Sequence, residues 1–255
     1  MALRILLLQA READDPMRAE ELLSFAEKSE LAPEQFTPHD LLAGPPALGH
    51  ILSFDAMMIG GSGDYYVSKR NLPGFDELLE TLAGAVDAGH PTFASCFGFQ
   101  LLTVALGGEI VHDPESSEVG TYELSLTAAG RDDDLLGWLP PAFFAQLGRK
   151  DRAARLPATV SNLASSEANP HQAFRVPGQP VWGTQFHPEL DRESNLRRFH
   201  RYADSYCLNP DERDEALARY QESPATHGLL PAFLRLVFGD RAAARATFSK
   251  KKDEP

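Results

Sequence analysis

The chain has 255 residues, enough to bury a large core, and its 24 Lys and Arg against 37 Asp and Glu leave a formal charge of −13. That charge repels nucleic-acid phosphates and anionic lipid, which argues against a nucleic-acid partner and against a role on a membrane surface. The longest apolar runs, LRILLLQA and HGLLPAFLRLVFG, fall short of the roughly 20 residues that span a bilayer; no signal-peptide pattern follows Arg4 and only Cys96 and Cys207 could pair, so the expectation is a soluble cytoplasmic protein with both thiols reduced.

LRILLLQA, residues 3–10, is a short and nearly unbroken apolar run, which suits a strand buried on both faces of a parallel sheet. Arg18 to Leu31 follows with helical spacing that places Ala19, Leu22, Leu23 and Ala26 on one face. A second strand is expected around EQFTPHDL, and FDAMMIGG, residues 54–61, reads as a third that runs into a glycine-rich loop. GFDELLETLAGAVDAGH is a predicted helix, with Phe75, Leu78, Leu79, Leu82 and Val86 inward and Gly89 as its stop. PTFAS is a further buried strand, and a helix opens near Cys96. Strands alternating with helices of this length predict an α/β fold, a doubly wound, mostly parallel sheet flanked by helices. In such sheets sites form at the carboxyl ends of the strands, where both the glycine loop and Cys96 fall.

From about Glu109 to Trp182 the runs YELSLTA, ATVSNLASS, HQAFRVPG and PVWGTQF predict a small antiparallel β portion packed beside the main sheet. After FHPEL the chain turns helical over DRESNLRRFHRYADSYC. Two more helices are expected in PDERDEALARYQES and LLPAFLRLVFGDRAAARATF, ahead of a charged end, KKKDEP, that should fray. The expected division is one domain over residues 1–206 and a helical C-terminal extension over 207–255.

The stretch PTFASCFGFQLL puts Cys96 on a strand-to-helix turn with small residues, Ala94 and Gly98, two positions to either side. A side chain held out on so tight a turn has strained backbone angles, and Cβ atoms at those flanking positions crowd it, which is the logic of a nucleophile elbow. A free thiol is only a few per cent thiolate at neutral pH, and a helix start or a nearby histidine favours the thiolate. Burial as plain packing is the competing reading of a lone cysteine.

GTQFHPEL supplies a histidine. His187 follows an apolar strand, and Glu189, two residues on in extended chain, points the same way and can fix its tautomer. The remaining histidines (39, 50, 90, 112, 171, 200 and 227) sit in polar, turn-like or helical contexts and read as structural or solvent-facing. IGGSGD is either a flexible turn or half of an oxyanion hole, with the Gly61 N–H joining that of Phe97. The loop lacks the Lys-Ser/Thr pair of a phosphate-binding P-loop; there is no CxxC, no HExxH and no EF-hand spacing, so no metal and no cofactor are expected.

GGSGD, then SCFGFQ, then QFHPE, in this order and at these distances, resemble the class I glutamine amidotransferase family, especially the glutaminase domain of GMP synthase and its free-standing relatives. The resemblance covers roughly residues 3–205 and implies a flavodoxin-like fold. It further implies Cys96 as nucleophile, His187 as base, Glu189 as its orienting carboxylate, and Gly61 and Phe97 as oxyanion donors. Gln100 matches the Gln of the family's CxGxQ pattern, and SEVGTYEL its E-x-G loop through Glu118 and Gly120; these three are the implied substrate-binding residues. There are departures. Ala94 replaces the usual Gly, Ser62 the usual Pro, Tyr65 and Tyr66 are bulky for a pocket mouth, and Arg149 and Lys150 stand where relatives often carry a histidine.

The implied activity is hydrolysis of the side-chain amide of glutamine, or of a γ-glutamyl amide, through a thioester. The alternatives are a γ-glutamyl or cysteine peptidase of the same superfamily, or a non-catalytic binding or regulatory subunit. Only about 50 residues follow residue 205, where the resemblance ends, so an ATP-using synthetase is expected, if at all, as a separate chain. The apolar face of LLPAFLRLVF either docks such a synthetase subunit or packs on its own domain.

Overall fold

The computed structural model describes residues 2–206, 209–239 and 241. The first half of the chain alternates strictly, with β1 (Ile5–Ala10), α1 (Met17–Lys28), β2 (Phe36–Asp40), α2 (Leu48–Ile51), β3 (Ala56–Ser62), α3 (Phe75–Asp87), β4 (Thr92–Ser95) and α4 (Phe97–Ala105). Then come β5 (Glu109–His112), β6 (Glu118–Leu126), α5 (Ala128–Arg131), β7 (Ala142–Arg149), β8 (Asp151–Arg155), β9 (Ser161–Ser165), β10 (Ala173–Val176) and β11 (Val181–Thr184). Three helices close the described chain: α6 (Arg192–Tyr206), α7 (Pro210–Ala218) and α8 (Leu229–Phe238).

β1 shows why the main sheet lies inside. Ile5 and Leu7 point to one face, toward Phe25 of α1 and Phe93, while Leu6 and Leu8 point to the other, toward Leu78 and Leu82 of α3. All four are fully buried, and each contributes roughly 1.5–3 kcal/mol by leaving water. Helices therefore cover both faces, as βαβ connections require.

The strand order is β2-β1-β3-β4-β11-β10-β9-β6-β7, with β5 and β8 as a separate two-stranded ribbon. The first five strands pair in parallel and the last four antiparallel. This corrects one expectation. Apart from β5 and β8, the antiparallel strands do not pack beside the main sheet but extend it, through β10 pairing with β11.

The register of the central pair places the site. β11 runs parallel to β4 with Thr184 opposite Ser95, and the Cys96 N–H donates to the Thr184 carbonyl at 2.7 Å. Cys96 and the segment carrying His187 thus leave the sheet side by side at its carboxyl edge, beside the end of β3.

α1 forms where periodicity placed it, but with a different inner face. Its buried residues are Met17, Glu21, Phe25 and Ala26, whereas Leu23 is 53% exposed. α8 spends its apolar face on its own fold: Leu229, Leu230, Phe233 and Leu234 join the core that holds Phe93 and Trp182, and Phe233 packs edge-on against both rings. Val119, Phe199, Ala203, Ala216 and Tyr220 form a smaller cluster that ties α6 and α7 to β6. The KKKDEP end and Cys207 lie outside the described residues. Among the described residues no helix is long and apolar enough to cross a membrane.

Candidate functional site

Cys96 has φ +50° and ψ −101°, a left-hand conformation that a residue with a Cβ adopts only when its surroundings impose it. The imposing contact is with β3. A Cβ on Gly98 would stand 2.7 Å from both the Cβ and the carbonyl oxygen of Ile59, so α4 docks on the strand at glycine distance. The bend before it presents Cys96 at the mouth of the helix, and the Phe97 N–H, first of the helix, has no intrahelical acceptor.

The thiol faces His187. The imidazole is buried, its Nδ1 lies 2.6 Å from Glu189 Oε1, and it lines the same cleft as Cys96. A carboxylate only accepts, so Nδ1 carries the proton and Nε2 is left for the thiol. Burial alone would lower the basicity of His187; the charge of Glu189, and then Cys96, outweigh it, and the imidazole is pushed up to about 9. Gln185, which sequence reading passed over, donates from Nε2 to Cys96 Sγ at 3.6 Å.

Cys96, Phe97, Gln100, Gly61 and His187 line one cleft with Ser62, Tyr65, Tyr66, Gly148, Arg149, Lys150, Arg198 and Tyr206. The wall formed by Tyr65 and Tyr66 is held by Asp151, which accepts from the Ser68 N–H at 2.9 Å and its hydroxyl at 2.8 Å. Gln100 donates from Nε2 to Gln185 Oε1 at 3.1 Å and to the Asp151 carbonyl at 3.0 Å.

Three of the expected site residues are placed differently. The Gly61 N–H is not free as an oxyanion donor, because it donates to Glu21 Oε1 at 3.0 Å. Glu118 is fully buried and is not among the residues that line the cleft. It accepts from Arg149 Nε at 2.9 Å, from the Ser166 hydroxyl at 2.5 Å and from Gln172 Nε2 at 2.6 Å, and so anchors a cleft-lining arginine from behind. Gly120 also lies outside the cleft. Its φ of +119° suits glycine, and a Cβ there would stand 3.0 Å from Arg219 Cβ, so it serves the packing of the segment after α7.

A strained cysteine at a strand-to-helix turn, sharing a cleft with a histidine that a buried carboxylate orients, is the arrangement that acyl transfer to a thiol needs. The profile of class I glutamine amidotransferases matches residues 52–200. The chain belongs to the class I glutamine amidotransferases.

Within this amidotransferase family, the chain is 32% identical over 164 residues to the GMP synthase (glutamine-hydrolyzing) of Leifsonia xyli, covering 64% of this chain and 29% of that one. It is 28% identical over 170 residues to a glutamine-hydrolyzing GMP synthase subunit of Methanothermobacter thermautotrophicus, covering 66% of this chain and 83% of that one. The first curated relatives it matches are covered over less than two thirds of their length. In fold it resembles a glutamine amidotransferase of Thermotoga maritima, with a TM-score of 0.70 at 18% identity over 93% of this chain and 98% of that one. A glutamine amidotransferase of Methylobacillus flagellatus gives 0.66 at 18% identity, covering 95% and 92%. The sheet is accordingly the mixed, mostly parallel, flavodoxin-like sheet of these amidotransferases.

Behind His187 the amidotransferase carries a buried charge cluster that sequence reading missed. Arg11, Glu21 and Arg198 are each 6% exposed or less along their side chains, with Arg11 Nη2 2.9 Å from Glu21 Oε1 and Arg198 Nη2 3.5 Å from the same oxygen. No local pattern signals it, because the spacing put Ala19, Leu22, Leu23 and Ala26 on the inner face of α1, and the partners of Glu21 arrive from elsewhere along the chain.

Proposed function

We propose that this amidotransferase hydrolyses the side-chain amide of glutamine, or a γ-glutamyl amide, through a thioester on Cys96. The observation that carries the proposal is the strained Cys96 set against the His187–Glu189 pair at the carboxyl edge of the sheet.

In the first half-reaction the Cys96 thiolate attacks the amide carbon, and the electron pair of the C=O bond moves onto oxygen. The Phe97 N–H, at the positive end of α4, is the oxyanion donor. The intermediate collapses as the His187 imidazolium protonates the nitrogen, and ammonia leaves a glutamyl thioester. In the second half-reaction His187 Nε2 takes a proton from water, hydroxide adds to the thioester carbon, and the thiolate departs to leave glutamate. Glu189 holds the ring and balances its charge in both halves. The balance is glutamine plus water to glutamate plus ammonia, and no cofactor is needed.

The Methanothermobacter relative, whose length this chain covers to 83%, is by name one subunit of GMP synthase. By that likeness the ammonia acceptor is bound on a separate synthetase chain, and the setting is a reducing cytoplasm that keeps Cys96 free. The test is release of glutamate from glutamine, and of amine from γ-glutamyl dipeptides, by the purified protein and by Cys96→Ala. Turnover confined to the parent protein is expected; a Cys96→Ala variant of undiminished activity removes the thioester.

A further inference from the structure

We infer that Glu21 of α1 and Arg198 of α6 are positioning residues for the catalytic base, a pair that fixes both the orientation and the charge of His187. The inference rests on the reading that Cys96 and His187 act as a pair.

Glu21 is wholly buried at the middle of a helix whose other inner residues are Met17, Phe25 and Ala26. Packing alone does not call for a carboxylate there, since a well-packed apolar residue commonly serves stability as well as a buried ion pair. What it does is collect donors. Its Oε1 receives Arg11 Nη2 at 2.9 Å and the Gly61 N–H at 3.0 Å, with Arg198 Nη2 at 3.5 Å, and its Oε2 accepts from Gln9 Nε2 at 3.0 Å. A Cβ on Gly60 would stand 2.6 Å from its carboxyl carbon, so the glycine loop is shaped around this group.

Arg198 reaches from Glu21 to the base. Its Nη1 stands 3.4 Å from His187 Nδ1 and 3.8 Å from Glu189 Oε1. Because Nδ1 gives its proton to Glu189, the guanidinium acts on the ring as a neighbouring cation and not as its hydrogen-bond donor. Two groups therefore compete for Glu189 Oε1: the imidazole at 2.6 Å and the guanidinium at 3.8 Å. Glu21 decides the contest by holding the far end of Arg198. Without it, the planar fork of Arg198 is free to close on Glu189, as arginine does with carboxylates, and to displace His187 from its orienting partner.

The groups around the ring define the electrostatics. Cys96 faces it from the turn, Glu189 from its own segment, Arg198 and Tyr206 from α6, with Glu21 from α1 and Arg11 after β1 one step behind. Tyr206 is pushed up, first by burial and then by the charge of Cys96, and stays neutral through the working range. Arg198 is thus the cation that opposes the imidazolium, and Glu21 is the anion that offsets Arg198.

The test follows the rate of iodoacetamide alkylation against pH, read on the peptide that carries Cys96, in the parent protein, Arg198→Gln, Arg198→Lys and Glu21→Gln. The inflection belonging to His187 is identified by its loss in His187→Asn. Removing a like charge at this distance moves that inflection up by about one pH unit in Arg198→Gln. Glu21→Gln, which leaves Arg198 uncompensated, moves it down, and Arg198→Lys returns it most of the way to the parent position. An inflection that stays put in folded Arg198→Gln, with only the unfolding midpoint lowered, makes the pair structural and overturns the inference. If Glu21→Gln does not fold, the Gln and Lys variants of Arg198 decide alone. Alkylation needs no turnover, so a protein silent toward glutamine leaves this test intact, whereas a parent profile without a His187 inflection overturns the pairing itself and the inference with it.

Discussion

Gly98→Ala sets helix propensity against packing at the turn that carries the thiol. Within a helix the exchange is ordinarily favourable by roughly 0.5–1 kcal/mol. Here the new methyl would sit 2.7 Å from Ile59 Cβ, 2.7 Å from Ile59 O and 2.9 Å from Ile59 Cγ2. Carbon atoms rest at about 3.5–4.0 Å, so α4 must retreat from β3 by about 1 Å, and because one opposing atom is strand backbone, no rotamer change relieves it. Overpacking of this kind costs roughly 1–3 kcal/mol, which exceeds the propensity gain. The retreat carries Cys96 and the Phe97 N–H with it, and about 1 Å of misplacement at reacting groups can cost on the order of 10²-fold in rate. Urea unfolding should show a net loss of about 1–2 kcal/mol, and kcat/KM for glutamine should fall by on the order of 10²-fold. A variant as stable and as active as the parent refutes the argument that glycine distance between α4 and β3 sets the turn.

The buried imidazole makes stability depend on pH. His187 is raised from 6.5 to about 9, so its contribution is fully present below pH 6.5 and is lost as pH rises through about 9; unfolding free energy should decline over that window, and His187→Gln should flatten the decline. Glu118→Ala strands Arg149 in the interior and should cost roughly 3–5 kcal/mol by urea titration, while a cost below about 1 kcal/mol would mean that Arg149 finds water. Asp191 accepts from the Ser194 N–H at 2.9 Å at the start of α6, so Asp191→Ala should cost about 1 kcal/mol in the same titration. Cys96→Gly should be more stable than Cys96→Ala, because only glycine sheds the strain of φ +50°; equal midpoints would mean that the turn is not strained.

What the sequence disclosed was whatever depends on neighbours along the chain. The unbroken runs around Leu6, Met58 and Phe93 announce strands buried on both faces, and the spacing of Phe75, Leu78, Leu82 and Val86 announces α3. The turn at Cys96 is legible because the small residues that permit it are two positions away; His187 does meet Glu189, but through a turn closed by the Leu190 N–H on the His187 carbonyl at 3.2 Å and not through the extended chain that the spacing suggested. What depends on distant residues was hidden. Leu23 looked like core, but the inner face belongs to Glu21, whose carboxylate Arg11 and Arg198 meet from elsewhere along the chain. Gly61 looked like an oxyanion donor until Glu21 claimed its N–H. Glu118 looked like a ligand-binding acid until Arg149, from the adjacent strand β7, closed on it. The antiparallel strands extend the main sheet because β10 pairs with β11, a register that no local pattern in HQAFRVPG specifies.

The central claim is that Cys96 carries the acyl group, and mass spectrometry of the protein quenched in acid during turnover with glutamine tests it most directly. The account predicts a glutamyl adduct on the peptide containing Cys96, absent after hydroxylamine treatment and absent in Cys96→Ala. Glutamate production without any adduct on that peptide, sustained in Cys96→Ala, contradicts it.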